Sequence, residues 1–264
     1  MPYAKNGDVN IYYEVEGEGL PLVLLHGLGD SLNIWRDAKY TEALENDYKL
    51  ILLDARGHGK SDKSYEVSEC YPRVLATDVL TILDDVGITQ THYFGYSLGA
   101  RVGFWLAVHH PERFSSFILG GMTPYDYDEA AIKSTNAYIE ALKLHRTDPD
   151  AYLQKMEQFL KHALSSEEKE GLLSLDSELS IALTSGWFFS PPLSNEELER
   201  ISFPCLVFCG ELDQGGFYPG AKECASHIPN AEFVSFPDLD HPTLLSRSDI
   251  VLPYVKEFLA KVSE

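Results

Sequence analysis

Gly95-Tyr96-Ser97-Leu98-Gly99, followed by Ala100, is the stretch of this chain best suited to chemistry. It joins a short apolar run, 91–95 (THYFG), to a helical pattern over 98–110. A serine on so sharp a strand-to-helix turn is held in strained dihedrals. Its neighbours two before and two after approach each other closely, and only glycine or another very small residue fits there. The turn pushes the Ser97 hydroxyl out at the carboxyl end of a sheet. It also aims the next backbone N–H, that of Leu98, at the same spot from a helix N-terminus. G-x-S-x-G alone recurs by chance, but in the strand–turn–helix context it marks a nucleophilic serine.

Serine is a weak nucleophile near neutral pH and needs a base, and the base needs an orienting acid. The chain has nine histidines. His227 falls within a helical pattern, ECASHIP, which reads as a surface or packing position. His241 lies in a loop, PDLDHPTLL, after the run 231–236 and before the last helical pattern. Candidate acids are Glu211 and Asp213, which follow the run 204–208, and Asp238 and Asp240, which flank His241.

These residues need a scaffold. Residues 9–15 (VNIYYEV) are β-branched and aromatic and read as a strand; further strand-length runs lie at 21–25, 49–53, 91–95, 114–119, 204–208 and 231–236. Several lack alternation, as expected of strands covered on both faces. Helical patterns lie between them, at about 31–45, 72–86, 98–110, 218–227 and 243–261. Strands alternating with helices predict βαβ units and a mostly parallel sheet, with the first strand as an antiparallel edge. Residues 123–200 break this rhythm: they carry helical segments such as 129–146 and 149–164, and Pro191-Pro192 marks the exit. This stretch is too long for a simple loop and reads as a helical insertion over the sheet's carboxyl edge.

The sequence resembles the α/β-hydrolase fold superfamily, in particular its serine esterase and lactonase members. Three motifs carry the resemblance: Gly95–Gly99; His26-Gly27 directly after the run 21–25; and Asp54-Ala55-Arg56-Gly57-His58-Gly59-Lys60-Ser61-Asp62. It extends from about residue 9 to 261 and is weakest over 123–200. It implies an α/β fold, with a mostly parallel central sheet, helices on both faces and a helical cap insertion. Residues 1–122 and 201–264 would form the core domain and 123–200 the cap. The family's chain order of serine, acid, histidine puts the triad at Ser97, Asp213 and His241. The residue after His-Gly supplies the second oxyanion N–H, so Leu28 and Leu98 would form the oxyanion hole. His26 would support loop structure, and Asp54, Arg56 and Asp62 the scaffold. Trp35 would pack near the oxyanion loop. Asp240 stands where the family often has glycine, adding a negative charge beside the base.

Ser97 argues against the dehalogenases and epoxide hydrolases of this fold, which use an aspartate nucleophile. It fits an esterase that cleaves small neutral carboxylic esters. Alternatives are a carbon–carbon bond hydrolase or enol-lactonase of aromatic degradation, or a ligand receptor that keeps the triad. The insertion is rich in aromatic residues (among them Tyr127, Tyr138, Tyr152, Phe159 and Phe189), and Tyr125, Trp187 and Phe188 are the candidate substrate-binding residues. No metal or organic cofactor is required by any of these groups.

Composition sets the remaining bounds. The 264 residues, 44% hydrophobic and 23% charged, describe an ordinary globular chain rather than a disordered one. A net charge of −20 repels phosphate backbones and anionic membranes, so neither nucleic acid nor membrane is an expected partner. Cys70, Cys205, Cys209 and Cys224 match no zinc pattern. No signal-peptide pattern or apolar stretch of spanning length is visible, which predicts a cytoplasmic protein, and a monomer or homodimer is expected.

Overall fold

The computed structural model describes residues 2–160, 162–213 and 217–263. Its strands are β1 (Tyr3–Asn6), β2 (Val9–Glu16), β3 (Leu20–Leu25), β4 (Tyr48–Leu53), β5 (Thr91–Tyr96), β6 (Phe114–Gly120), β7 (Cys205–Gly210) and β8 (Ala231–Phe236). They form one sheet in the order β1-β2-β4-β3-β5-β6-β7-β8. β1 pairs antiparallel with β2, and β2 antiparallel with β4. All other pairings are parallel. Sequence reading missed β1: its four residues include one buried side chain, and its order comes from pairing with β2.

Helices on the first half of the chain are α1 (Ile34–Asp37), α2 (Tyr40–Leu44), α3 (Pro72–Asp85) and α4 (Leu98–His109). Residues 123–200 hold α5 (Glu129–Leu144), α6 (Pro149–Leu160), α7 (Ser166–Ser174), α8 (Ser177–Phe188) and α9 (Asn195–Leu198), with no strand among the described residues. α10 (Phe217–His227), α11 (His241–Ser246) and α12 (Ser248–Val262) complete the chain.

The pleat sends alternate residues of each central strand to opposite faces. Val23, Leu25, Ile51 and Leu53 join one core with Leu75 and Val79 of α3 and Val102 and Phe104 of α4. Leu22, Leu24, Leu50 and Leu52 join the other with Trp35, Tyr40, Val255 and Phe258. This double burial is why β5 and β7 are buried at every position and show no polar alternation.

Two helical predictions need correction. The pattern over 31–45 is not one helix, because Lys39 adopts a left-handed conformation (φ 63°) between α1 and α2. The cause is tertiary. Trp35 and Tyr40 both pack on Phe94, with ring centroids 4.7 and 5.6 Å from it. In a continuous helix, five residues turn the chain by roughly 140° beyond a full revolution, which would point the two rings apart. Trp35 therefore packs in this core, among Tyr40 and Phe94. The pattern over 243–261 likewise splits at Arg247, and α11 begins earlier than expected, at His241 itself.

Candidate active site

Ser97 sits between β5 and α4 with φ 52° and ψ −112°, a backbone that L-residues rarely adopt. Its N–H donates to Gly120 O at 2.9 Å, and its carbonyl accepts the Arg101 N–H at 3.0 Å. A Cβ on Gly95 would lie 2.3 Å from Gly99 O, and one on Gly99 would lie 2.0 Å from Leu25 O. The two glycines of the motif are therefore demanded by the backbone that surrounds the serine.

The His26-Gly27 loop lies directly against this turn. A Cβ on Gly27 would come within 3.3 Å of Ser97 Cβ, and Gly99 N–H donates to His26 O at 3.1 Å. His26 is fully buried with both nitrogens engaged: Nδ1 donates to Gly27 O at 2.7 Å and Nε2 accepts the Ala55 N–H at 3.0 Å. Burial, helped by nearby His58, pushes its pKa down to about 3. Both ring nitrogens are thus committed to the loop. Leu28 follows Gly27 and Leu98 opens α4. Among the described residues, no turn, loop or side-chain acceptor takes either N–H.

The Asp54–Asp62 loop braces this region from behind. Asp54 accepts the Leu32 and Lys60 N–H groups at 2.7 and 2.8 Å, and Asp62 accepts the Asn10 N–H at 2.8 Å. Arg56 forks onto buried Asp78 through Nε and Nη2, at 3.1 and 2.7 Å, and also pairs with Glu69.

His241 reaches Ser97 across 144 residues. Its Nε2 is 2.9 Å from Ser97 Oγ, and its Nδ1 is 2.9 Å from Asp213 Oδ2. The side chain of Asp213 is 1% exposed, against 29% for that of His241. Two backbone bonds join the segments that carry them: Glu211 N–H to Phe236 O at 3.0 Å and Leu212 N–H to Leu239 O at 3.1 Å. A Cβ on Gly210 would strike Leu239 O at 2.2 Å, so glycine permits this close seam.

The rival groups lie elsewhere. Glu211 accepts Ser235 Oγ, and His227 sits 3.4 Å from Glu199. Asp240 N-caps α11, accepting the Thr243 N–H at 3.1 Å. The Thr243 hydroxyl and N–H, more than His241, hold its carboxyl below the usual carboxylate range. The extra charge is thus fixed at a helix start.

Several contacts carried no sequence signal. Tyr96 Oη donates to His241 O at 2.5 Å, and the rings of Tyr96 and Phe217 flank the imidazole, each 5.3 Å away. Cys209 Sγ donates to Asp213 Oδ2 at 3.5 Å. Asp30 Oδ2 lies 3.5 Å from the same point beside Gly27 that is 3.3 Å from Ser97 Cβ. Loss of hydration raises the Asp30 pKa, and His241 opposes that rise.

A cavity of about 610 Å³ opens beside His241 and Asp213. Trp187 and Phe188 line it together with Phe159, Leu212 and Phe217. Phe188 stacks on Tyr127 at 3.9 Å. Tyr125, expected with them, is not in this wall. Its hydroxyl donates to Asn195 at 2.7 Å and it lines a separate hollow with Pro219 and Glu223. Among the described lining residues the charged side chains are carboxylates (Asp128, Asp213 and Asp240), with no lysine or arginine.

Among the described residues, no group of three or more His, Cys, Asp or Glu side chains could hold a metal ion. No helix there is long and apolar enough to cross a membrane.

The chain is similar to known proteins along most of its length. A 119-residue stretch is 34% identical to RutD of Azorhizobium caulinodans, named as a carbamate hydrolase, and covers 45% of this chain and 43% of that protein. A longer match, 28% identical over 233 residues, covers 78% of this chain and 77% of 3-oxoadipate enol-lactonase 2 of Acinetobacter baylyi. A thermophilic esterase from Thermogutta terrifontis has the same fold, with a TM-score of 0.77 at 23% identity over 98% of this chain and 97% of that one. The model of the alpha/beta hydrolase fold family matches residues 21–248. With that match, the eight-stranded sheet and the strand–serine–helix turn, the chain belongs to the alpha/beta hydrolase fold family.

Proposed function

We propose that this protein is a serine hydrolase that cleaves small, neutral carboxylic esters through an acyl-enzyme on Ser97. The unbroken hydrogen-bond line from Ser97 Oγ through His241 to Asp213 carries this reading. His241 Nε2 takes the serine proton as Oγ attacks the ester carbonyl. The acidic side chain on Nδ1 holds the imidazole in the right tautomer and stabilises its cation. The carbonyl oxygen becomes an oxyanion between the Leu28 and Leu98 N–H groups, where losing one donor typically costs about 3 kcal/mol. His241 returns the proton to the leaving alcohol. Water, activated by the same imidazole, then releases the acid and frees Ser97.

The helices of 123–200 act as the cap that shapes the acyl pocket, through Trp187 and Phe188. Neutral substrates are favoured because the described lining residues offer carboxylates and no lysine or arginine. The similarity to an enol-lactonase supports cleavage of an ester-type bond, since a lactone is a cyclic ester. It also keeps lactones as the second reading, restricted to those without a free carboxylate. Fluorophosphonate labelling followed by peptide mapping tests the assignment. The label should appear on Ser97, and Ser97→Ala should lose both label and p-nitrophenyl ester turnover. Turnover retained in that variant would refute it.

A further inference from the structure

Arg101 is 4% exposed and has no carboxylate partner within ion-pairing distance among the described residues. Arginine is rarely buried unless paired, because the charge loses its hydration. Its contacts are neutral: Nη1 donates to Thr123 O and Tyr125 O at 3.1 Å, Nε to Ser190 Oγ at 3.3 Å and Nη2 to Ser190 O at 3.3 Å. A guanidinium has five N–H donors, so one Nη2 N–H is left over. The side chain borders a cavity of about 180 Å³ that is separate from the one beside His241.

A second positive element borders that cavity. The first turn of α3, Tyr71-Pro72-Arg73, faces it with no acidic residue and no side-chain cap. A helix start of this kind carries about half a positive charge. Arg73 adds a second guanidinium at the rim, and Glu197 is the one acidic group among the described lining residues. The Glu197 carboxylate is drawn aside to the Ser194 N–H at 2.8 Å. The other walls are apolar: Trp105, three prolines at 124, 191 and 192, and Leu193. A dry pocket of about 150 Å³ accommodates benzene.

From this combination we infer that the cavity between α3, α4 and residues 190–193 binds a small organic carboxylate, its anionic head on Arg101 and the start of α3, its hydrocarbon body against Trp105 and the prolines. Phosphate would meet the charge but leave the apolar walls uncovered. The inference does not rest on the role assigned to Ser97.

Calorimetric titration with benzoate tests it, on the full chain at constant ionic strength set with sodium chloride. Saturable one-site binding is expected, with inorganic phosphate at least ten-fold weaker. Arg73→Glu, an exposed position that leaves the fold intact, should weaken benzoate at least ten-fold, and Arg101→Met should abolish it. His241→Ala should leave it unchanged. Absence of saturable binding would overturn the inference, as would benzoate binding that survives Arg73→Glu and disappears in His241→Ala. If Arg101→Met does not fold, Arg101→Lys replaces it: the compact ammonium cannot reproduce the fork, so benzoate should weaken, and unchanged affinity would count against the site.

Discussion

The hydroxyl of Tyr96 donates to the carbonyl of His241 at 2.5 Å, so the residue before the candidate nucleophile holds the backbone of the candidate base. Its ring also lies 5.3 Å from the imidazole. The bond is partly buried, and a typical intramolecular hydrogen bond contributes about 1 kcal/mol net. Tyr96→Phe keeps the ring and removes the tether. We expect kcat to fall roughly five-fold, the equivalent of that 1 kcal/mol, with KM on a short-chain ester unchanged. Steady-state kinetics checks this, and a change confined to KM would show that Tyr96 acts on binding instead.

Asp213→Asn keeps the shape of the acid but removes its charge and presents the wrong hydrogen-bond pattern to His241 Nδ1. In serine–histidine–aspartate enzymes this substitution lowers kcat on the order of 10⁴-fold, and a fall of that order is expected here. Cys209→Ala removes only the weak thiol donor to Asp213 Oδ2, so kcat should change by no more than about three-fold on the scale of a single weak hydrogen bond. Equal effects of the two variants would mean that Cys209 holds the carboxylate in place.

Gly99→Ala should fail structurally rather than chemically. The new methyl would lie 2.0 Å from Leu25 O, a backbone atom that cannot swing aside. Overpacking typically costs 1–3 kcal/mol or more. Urea denaturation should therefore show a lower midpoint, accompanied by loss of ester turnover. A variant with wild-type stability would mean that β3 and α4 can part at this seam.

His26 gives a pH dependence with a definite sign. Its folded pKa, about 3, lies below the ordinary histidine value of 6.5. The unfolded chain therefore takes up a proton between those values that the folded chain refuses. The contribution of neutral His26 is fully present above pH 6.5 and is lost as pH falls toward 3, at about 1.4 kcal/mol per pH unit. His26→Gln should be less stable than wild type at pH 7.5, and the gap should narrow on acidification. Denaturation midpoints at pH 7.5 and 5 measure it; a constant gap would contradict the buried neutral ring.

Ser134 lines the cavity beside His241, where among the described lining residues no cation is found. Ser134→Arg would supply one. The ratio of kcat/KM for a hemisuccinate ester to that for a butyrate ester should rise at least ten-fold, as expected when an unpaired carboxylate gains a partner (about 1.4 kcal/mol). An unchanged ratio would place the acyl group elsewhere.

How far the sequence reveals such features depends on how local their causes are. Gly95, Ser97 and Gly99 are legible because one tight turn imposes all three identities. The double-sided strands are legible because burial on both faces erases alternation. The pairing of Asp213 with His241 comes from resemblance, since nothing near either residue names the other. Lys39 is illegible: its left-handed turn exists to bring Trp35 and Tyr40 onto Phe94, which lies on a distant strand. The Tyr96, Cys209 and Asp30 contacts, and the placement of Tyr125 outside the cavity beside His241, are hidden for the same reason. Each depends on how elements far apart in the chain come together.

At Leu25 and Gly99 main chain meets main chain with no side chain between them. Substitution has no shim to offer at such a joint: the spacing between the end of β3 and the start of α4, beside Ser97, is set by main-chain contact. Diversification of what this scaffold accepts must then proceed through the remote walls, on α5 and α8, while the chemical step keeps a fixed gauge.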